Sequence, residues 1–347
     1  MNYSTDNTRI INKVDLITPN DVISKYPLTD EISKLVYGTR NELSQILHGK
    51  DDRLIAVVGP CSIHDPVAAI DYAKRLQSIQ NKLDDALCLN MRCYFEKPRT
   101  TVGWKGLIND PRLDNSFKIN EGLRISRKLL KDIADLGMPT GTEFLDLISP
   151  QYVSDLVCWG AIGARTAESQ VHRELTSGLS CPIGIKNSTK GDIQIAIDAI
   201  KSAQYQHVFL GTTKKGKVAI FKTSGNDDTH IILRGGLEPN YHPKDIQNCR
   251  ADLEKNEVNA NIMVDFSHGN SQKNHENQKK VSASICDQIA SGNKDIIGVM
   301  IESHLKEGNQ KISEDMEYGK SVTDACVDWE ETKKLLDDLA QAVKARR

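Results

Sequence analysis

The chain has 347 residues, of which 45 are lysine or arginine and 47 are aspartate or glutamate, so its formal net charge is −2. Because the positive and negative charges are almost balanced, the chain has no general attraction to nucleic acid or to a membrane surface. Any anion must be bound by a local cluster of cations. The eight cysteines are scattered without CxxC spacing, which argues against a disulfide framework or a zinc ribbon and is typical of a reduced, cytoplasmic chain.

Residues 1–50 are polar and precede the main body of the chain. The amphipathic pattern of Glu31–Leu47 predicts a helix there. The first residues lack the apolar segment of a secretion signal, and no apolar run approaches the ~20 residues of a membrane span. We therefore expect an N-terminal arm with a helical extension at 1–50 and a single large domain at 51–347.

From Arg53 onward, apolar strands alternate with amphipathic segments. Leu54–Val58 is a continuous apolar run, as expected of a strand that is buried on both faces. Asp65 and Pro66 then supply the N-cap and the first residue of a helix. The candidate strands are 54–58, 87–95, 139–144, 161–165, 182–186, 207–211, 230–234, 262–266 and 296–301. The amphipathic segments include 122–136, 151–159, 192–203 and 328–347.

This alternation favours a parallel sheet with crossover helices. Nine candidate strands exceed the eight places of a (β/α)8 barrel, and an inserted hairpin in the Gly- and Lys-rich stretch 211–229 accounts for the surplus. An open doubly wound sheet is the alternative, but no GxGxxG motif follows a strand. The sequence thus predicts an α/β chain that forms a (β/α)8 TIM barrel with an N-terminal extension and an inserted β-hairpin.

A basic loop follows the second candidate strand, where Pro98 and Gly103 prevent a helix. In a barrel, the residues at the C-terminal ends of the strands converge on one face. Cations lie at or near four such ends, namely Arg92, Lys97, Arg165, Lys186 and Arg234. In a partly desolvated site they would repel each other unless a multiply charged anion lay among them. Such a cluster suits a phosphorylated carboxylic acid. The alternative is a solvated basic surface.

A second group mixes thiol, imidazole and carboxylate: Cys61, His268 and Glu302 at strand ends, and Asp324 just before the final helix. This mixture suits a divalent ion of intermediate softness, such as Mn²⁺, Fe²⁺ or Zn²⁺. Each residue also has a plain structural explanation, since a cysteine after a strand is often a small buried hydrophobic residue. The spacing leaves both interpretations open.

These residues lie in motifs that resemble those of the class I, feedback-regulated 3-deoxy-D-arabino-heptulosonate 7-phosphate (DAHP) synthases. The motifs extend over most of the chain: Gly59–Pro66, Arg92–Pro111, Gly160–Thr166, Glu168–Arg173, His230–Gly236, Asp265–His268, Glu302–Asn309 and Tyr318–Asp324. No catalytic position departs from the family pattern. Cys93 and a short loop at 310–317 are smaller departures.

The resemblance implies condensation of phosphoenolpyruvate with D-erythrose 4-phosphate and water, the first step of the shikimate pathway. It implies that phosphoenolpyruvate is bound by Arg92, Lys97, Arg165, Lys186 and Arg234. It implies that erythrose 4-phosphate is bound by Lys97, Pro98, Arg99, Thr100 and Asp324. One divalent transition metal ion would be held by Cys61, His268, Glu302 and Asp324, with Lys97, Cys61 and His268 as the catalytic residues.

The base that activates water is not assigned by the resemblance, and Glu143 is one candidate. Two alternatives to this reaction are weighed against it. One is a related octulosonate-phosphate synthase, which uses a five-carbon sugar phosphate. The other is a non-catalytic phosphosugar-binding barrel, which would lack Lys97 or a metal ligand.

The resemblance also implies feedback inhibition by an aromatic amino acid. The matching effector positions are Phe144, Asp146, Pro150, Gln151, Leu175, Leu179, Ser180 and Phe209, with Asp6 and Asn7 from a neighbouring subunit's arm. The opening Met1–Tyr3 and the stretch Ser180–Pro182 are most similar to the phenylalanine-sensitive type. A homodimer or homotetramer is expected if the arm completes a neighbour's pocket.

Overall fold

The computed structural model describes residues 3–347, and Met1 and Asn2 of the predicted arm lie outside the described residues. Within 3–347, the strands are β1 (Leu54–Gly59), β2 (Leu87–Arg92), β3 (Thr140–Glu143), β4 (Trp159–Ile162), β5 (Ile183–Lys186), β6 (Val208–Thr212), β7 (Val218–Lys222), β8 (Thr229–Leu233), β9 (Ile262–Asp265) and β10 (Ile296–Glu302). Eight of these close into a parallel barrel in the order β1-β10-β9-β8-β5-β4-β3-β2, and β6 pairs with β7. The predicted barrel with an inserted hairpin is confirmed.

The helices surround the barrel, and some of them start at a residue whose side chain caps the first turn. They are α1 (Pro19–Lys25), α2 (Asp30–Leu47), α3 (Pro66–Leu83), α4 (Ile119–Asp135), α5 (Pro150–Val153), α6 (Gln170–Gly178), α7 (Gln194–Gln204), α8 (Pro243–Lys255), α9 (Gln278–Ala290) and α10 (Trp329–Arg346). Asp65 caps α3 by accepting a hydrogen bond of 2.8 Å from Val67 N. In residues 3–347, no helix combines the length and apolar composition that crossing a membrane requires.

A tryptophan fills part of the barrel interior. Trp159 on β4 is fully buried, and its indole N–H donates to His230 Nε2 on β8 at 3.3 Å. Because β4 and β8 are not neighbours in the sheet, this contact crosses the barrel. A Cβ atom at Gly184 would lie 2.8 Å from the indole ring, so the missing side chain there makes room for it.

Two segments differ from their predicted secondary structure. The predicted helix 151–159 is the short α5 and a 3₁₀ turn, Ser154–Leu156, and Trp159 already belongs to β4. The strand predicted at 161–165 begins two residues earlier and ends at Ile162. Short apolar runs such as Leu156–Trp159 fit helix and strand equally well by periodicity, and here burial within the barrel determines the outcome.

The surplus candidate strand is the first strand of the hairpin. The predicted strand 207–211 pairs antiparallel with Val218–Lys222 instead of entering the barrel. The hairpin therefore begins before the stretch 211–229 to which it was assigned, and that position was wrong. Its side chains alternate in exposure, with Val208 and Leu210 exposed, whereas the barrel strands are buried along their whole length.

The N-terminal region lies against the outside of the barrel. The Arg40 side chain on α2 donates to the Val157 carbonyl oxygen at 3.0 Å. The arm before α1 is tied at its end, where Ile17 N donates to Asn120 Oδ1 at 2.8 Å. Further toward the N-terminus the arm is exposed, including the apolar side chains of Ile11 and Val14.

Candidate active site

A cavity of about 500 Å³ lies at the C-terminal ends of the barrel strands. The predicted substrate-binding residues all line it: Arg92, Lys97, Pro98, Arg99, Thr100, Arg165, Lys186, Arg234 and Asp324. His268 and Glu143 line it as well. Cys61 and Glu302 are fully buried, and their donor atoms lie within 4.8 Å of a carboxylate oxygen of Asp324. The fold thus brings together residues from across the whole domain.

Arg92 is buried at the end of β2 and connects three parts of the site. Its guanidinium donates to the Cys61 carbonyl oxygen and to Glu302 Oε1, each at 3.1 Å. It also lies over the Tyr94 ring, 3.5 Å from the ring centroid. Because a lysine has no planar fork, it could not make these contacts together.

Lys186 and His268 share one buried carboxylate. Asp265 Oδ2 lies 3.1 Å from Lys186 Nζ and 2.9 Å from His268 Nδ1. Burial alone raises the pKa of Asp265, but the charges of His268 and Lys186 outweigh burial and hold this pKa well below its ordinary value. Asp265 therefore stays ionised and fixes the cationic end of Lys186 at the cavity.

Arg165 and Arg234 lack such a partner. Within residues 3–347, no carboxylate oxygen lies within 4.0 Å of either guanidinium group. Arg165 Nε donates only weakly, to Thr100 Oγ1 at 3.3 Å. Burial lowers the pKa of Arg234. The charge of Asp265 opposes this in part, and the nearby charge of Arg165 lowers the pKa. Two guanidinium groups that repel each other across a cavity form a site for a doubly charged anion.

Lys97 is held by the long loop between β2 and α4. Its backbone N–H donates to the Lys105 carbonyl oxygen at 2.9 Å. The Arg99 side chain donates to the Trp104 carbonyl oxygen at 2.8 Å. The Lys97 ammonium lies 2.8 Å from Cys61 Sγ. It lies 3.0 Å from Asp324 Oδ2. Burial lowers the pKa of Lys97, but these neighbours raise it above its ordinary value.

Three of the four predicted metal ligands form a compact group, and His268 lies beside it. Donor atoms of Cys61, Glu302 and Asp324 lie within 4.8 Å of one another. His268 Nε2 lies 3.8 Å from Glu302 Oε1. The His268 backbone has a φ of 57°, a left-handed conformation that is uncommon outside glycine. His268 Nδ1 is close to Asp265, but the two groups are not aligned for a hydrogen bond, and Nδ1 is a buried nitrogen without one among the described residues.

This donor set fits a divalent transition ion. Burial and the charge of Glu302 raise the pKa of Cys61 to about 12. A thiol in that environment becomes a thiolate when a cation compensates the charge. One thiolate, one imidazole and two carboxylates suit Mn²⁺, Fe²⁺ or Zn²⁺. Ser267 Oγ donates to Glu302 Oε2 at 2.7 Å and orients the carboxylate.

Ser267 and Glu96 were not predicted as site residues, although each is directly next to one that was, His268 and Lys97. Glu96 lines the cavity and is almost fully buried. It accepts a hydrogen bond of 2.8 Å from Ser149 Oγ. Burial raises the pKa of Glu96 to about 7. The only signal in the sequence was its position directly before Lys97, because its partner is 53 residues away.

A second cavity, of about 430 Å³, lies against the hairpin. Six of the predicted effector residues line it: Pro150, Gln151, Leu175, Leu179, Ser180 and Phe209. Phe144 is buried beside Gly160 instead. Asp146 Oδ1 accepts hydrogen bonds from Ile148 N and Ser149 N at 2.6 and 3.1 Å. Asp6 and Asn7 lie in the exposed arm and are hydrogen-bonded to each other.

Known proteins are similar to the chain over its whole length. The sequence pattern of the DAHP synthetase I family matches residues 26–337. The Phe-sensitive phospho-2-dehydro-3-deoxyheptonate aldolase of Escherichia coli (strain K12) is 58% identical over 349 residues, which cover 100% of both chains. The tyrosine-inhibited enzyme of Schizosaccharomyces pombe is 52% identical, over 99% of this chain and 94% of its own. The Trp-sensitive enzyme of Escherichia coli (strain K12) is 49% identical over 99% of both.

Solved structures are similar as well. The phospho-2-dehydro-3-deoxyheptonate aldolase from Francisella tularensis superposes with a TM-score of 0.96 at 54% identity, covering 97% of this chain and 99% of its own. The corresponding protein from Thermotoga maritima has a TM-score of 0.55 at 19% identity, covering 85% of this chain and 70% of its own. The second of these likenesses concerns the fold alone.

Proposed function

Because the chain belongs to the DAHP synthetase I family, we propose that it condenses phosphoenolpyruvate with D-erythrose 4-phosphate and water to give DAHP and phosphate. This is the reaction that opens the shikimate pathway to the aromatic amino acids. C3 of phosphoenolpyruvate attacks the aldehyde carbon, water adds at C2, and the C2–O bond to phosphate breaks. The protein is a transferase.

The observation that carries the substrate assignment is the pair Arg165 and Arg234. Both line the cavity, and within residues 3–347 neither has a carboxylate partner, unlike Arg92, Lys97 and Lys186. Guanidinium groups bind phosphate and carboxylate through paired N–H groups. The phosphate of phosphoenolpyruvate neutralises their repulsion. The ammonium of Lys186, which lines the same cavity, binds the carboxylate of phosphoenolpyruvate.

The loop segment Lys97–Thr100 is proposed to hold erythrose 4-phosphate. Arg99 and Thr100 line the same cavity as the phosphoenolpyruvate residues. Lys97 keeps its proton at neutral pH, since its pKa is raised. It donates that proton to the alkoxide that forms at the aldehyde oxygen. Glu143 Oε1 is buried without a hydrogen-bond partner in the described part of the chain, which keeps Glu143 a candidate for orienting the attacking water.

Metal dependence is part of this proposal. Cys61, His268, Glu302 and Asp324 would hold one divalent ion, supported by their mutual distances and their mixed donor chemistry. When bound, the ion supplies Lewis-acid polarisation of the aldehyde oxygen. Arg92 and Ser267 keep Glu302 oriented for this task.

We further propose that phenylalanine binds in the cavity against the hairpin and inhibits the enzyme. Support comes from its apolar lining, including Leu175 and Phe209, and from the Phe-sensitive relative that is 58% identical. Phe209 and Phe221 stack with ring centroids 5.9 Å apart and form one wall. Ser180 also lines the cavity, so its replacement by a larger side chain would block the site.

A second copy of the chain is the proposed partner. Val208, Leu210, Val218 and Ile220 expose one apolar face of the hairpin. The arm exposes further apolar side chains, among them Ile10 and Ile11. Apolar faces of this kind mark contact surfaces. A homodimer or homotetramer that forms through the hairpin and the arm buries both apolar surfaces.

A cytoplasmic location belongs to the same proposal and is supported by eight cysteines that are all free thiols.

One assay tests the function and its metal dependence. The purified protein is expected to release phosphate from phosphoenolpyruvate with erythrose 4-phosphate, and to do so poorly with arabinose 5-phosphate. EDTA is expected to remove the activity and added Mn²⁺ to restore it. Equal turnover after EDTA would contradict the metal role, whereas preference for the five-carbon sugar would contradict the acceptor assignment. Phenylalanine, tyrosine and tryptophan are compared in the same assay.

A further inference from the structure

One hydrogen bond lies between the two cavities of the molecule. Ser149 Oγ donates to Glu96 Oε2 at 2.8 Å. Both side chains are almost fully buried. Ser149 directly precedes Pro150, which lines the cavity against the hairpin. Glu96 directly precedes Lys97, and both line the active-site cavity. The bond therefore joins two segments that each reach one cavity.

On the effector side, the segment 144–149 is held by both walls of the cavity. It continues into α5, whose Pro150 and Gln151 are lining residues. It is also bonded to α6, because the His172 ring donates to the Leu145 carbonyl oxygen at 2.7 Å. The next turn of α6 carries Leu175, which lines the same cavity. A shift of either helix therefore moves the position of Ser149.

On the active-site side, the Ser149 hydrogen bond holds Glu96 within the catalytic loop, directly before Lys97. The loop from 93 to 118 contains no regular helix or strand, so isolated contacts fix its position. The position of Lys97 matters for the proposed reaction, because its ammonium is a proton donor that lies 2.8 Å from Cys61 Sγ, one of the proposed metal ligands. A displacement of about 1 Å at a catalytic group is enough to cost a large part of the rate.

We propose that the Ser149–Glu96 hydrogen bond couples effector binding to the position of the Lys97–Thr100 segment, with Ser149 as a positioning residue. The inference rests on the proposed effector function of the cavity against the hairpin. Both partners of this hydrogen bond are buried. A buried hydrogen bond is electrostatically stronger than an exposed one, so it transmits a displacement that a weaker contact would absorb. The proposed coupling has two states, one in which the hydrogen bond is kept and one in which it is strained. The effector shifts the equilibrium between them.

The test measures binding coupling, which does not need turnover. The dissociation constant of phosphoenolpyruvate is measured by calorimetry in the presence of Mn²⁺, with and without saturating phenylalanine. The ratio of the two constants is the coupling factor, and phosphoenolpyruvate must change phenylalanine binding by the same factor. In the unaltered protein we expect a factor of at least about 5. In Ser149→Ala the factor is expected to fall close to one while phenylalanine still binds.

Two matched variants control the experiment. Ser149→Thr keeps the hydroxyl donor and is expected to retain the coupling factor. Ser126→Ala removes another fully buried hydroxyl, one without a hydrogen-bond partner among the described residues, and is expected to leave the factor unchanged. If Ser149→Ala does not fold, Glu96→Gln weakens the same bond from the acceptor side and is expected to reduce the factor.

The outcomes separate this inference from the proposed function. A coupling factor in Ser149→Ala or Glu96→Gln equal to that of the unaltered protein overturns the inference. An active enzyme with no response to phenylalanine overturns it together with the effector assignment, but leaves DAHP formation in place. A protein that shows coupling but forms no DAHP contradicts the proposed reaction alone.

Discussion

Cys61 is a fully buried thiol between a cation and two carboxylates. Its Sγ lies 2.8 Å from Lys97 Nζ and 3.4 Å from Asp324 Oδ2. A buried cysteine in such polar surroundings is not there for packing alone, since most buried cysteines lie among apolar groups. Its chemistry therefore depends on what cation it faces.

We predict that Cys61→Ala lowers metal affinity and metal-dependent turnover at least about 100-fold, because even partners behind the ligands contribute 10- to 100-fold. Mn²⁺ binding is measured by equilibrium dialysis, and the fold is checked by circular dichroism. Cys93→Ala is the matched control, as Cys93 is equally buried but lies outside the donor group. Full metal-dependent activity in Cys61→Ala would exclude Cys61 as a ligand.

Glu96 adds a pH dependence to the stability of the fold. Its carboxyl has an ordinary pKa of 4.5, which burial raises to about 7 in the folded state. Between these values the unfolded chain ionises while the folded chain stays protonated. Stability is therefore lost as pH rises through this window, and the loss is complete above it.

We predict that Glu96→Gln gains about 3 kcal/mol of unfolding free energy relative to the unaltered protein between pH 4.5 and pH 8. The measurement is urea unfolding at the two pH values. Glu314→Gln, which alters an exposed glutamate, is expected to show no such change. A pH-independent difference for Glu96→Gln would mean that Glu96 ionises as readily in the folded chain as in the unfolded one.

At the scale of elements, the β6–β7 hairpin has two different faces. Phe209 and Phe221 line the cavity against the hairpin, and Leu210 and Ile220 are exposed on the other face. A two-stranded hairpin is only marginally stable by itself. Its exposed apolar face is therefore expected to gain stability from contact with a second copy of the chain.

We predict that Leu210→Asp shifts the protein from an oligomer toward the monomer, because a charge on this face would be buried without a partner. Sedimentation velocity measures the mass over a range of concentrations. Val67→Asp is the control, since Val67 is a similarly exposed apolar residue that lies on α3 and not on the hairpin. An unchanged mass for Leu210→Asp would place the contact between copies elsewhere.

At the scale of the whole molecule, the barrel was predictable because its strands are short apolar runs in regular alternation with helices. The convergence of Cys61, Arg165 and Glu302 followed from that topology, which brings strand ends to one face. The strand at 207–211 was predicted, but its place in the hairpin was not, because Val208–Leu210 is as apolar as a barrel strand. The hydrogen bond between Ser149 and Glu96 was also not predictable from the sequence, because pairing between distant segments has no local sequence signature.

The hairpin also has a consequence for how this family can diversify. It lies between α7 and β8, in a connection from helix to strand, whereas the chemistry is built where strands lead into helices. The sequence of the hairpin can therefore vary without any change at the strand ends that line the active-site cavity. Relatives named for sensitivity to three different amino acids are each 49 to 58% identical to this chain over nearly its whole length. On the proposal that the cavity against the hairpin binds the effector, effector specificity can change while the residues at the strand ends stay the same.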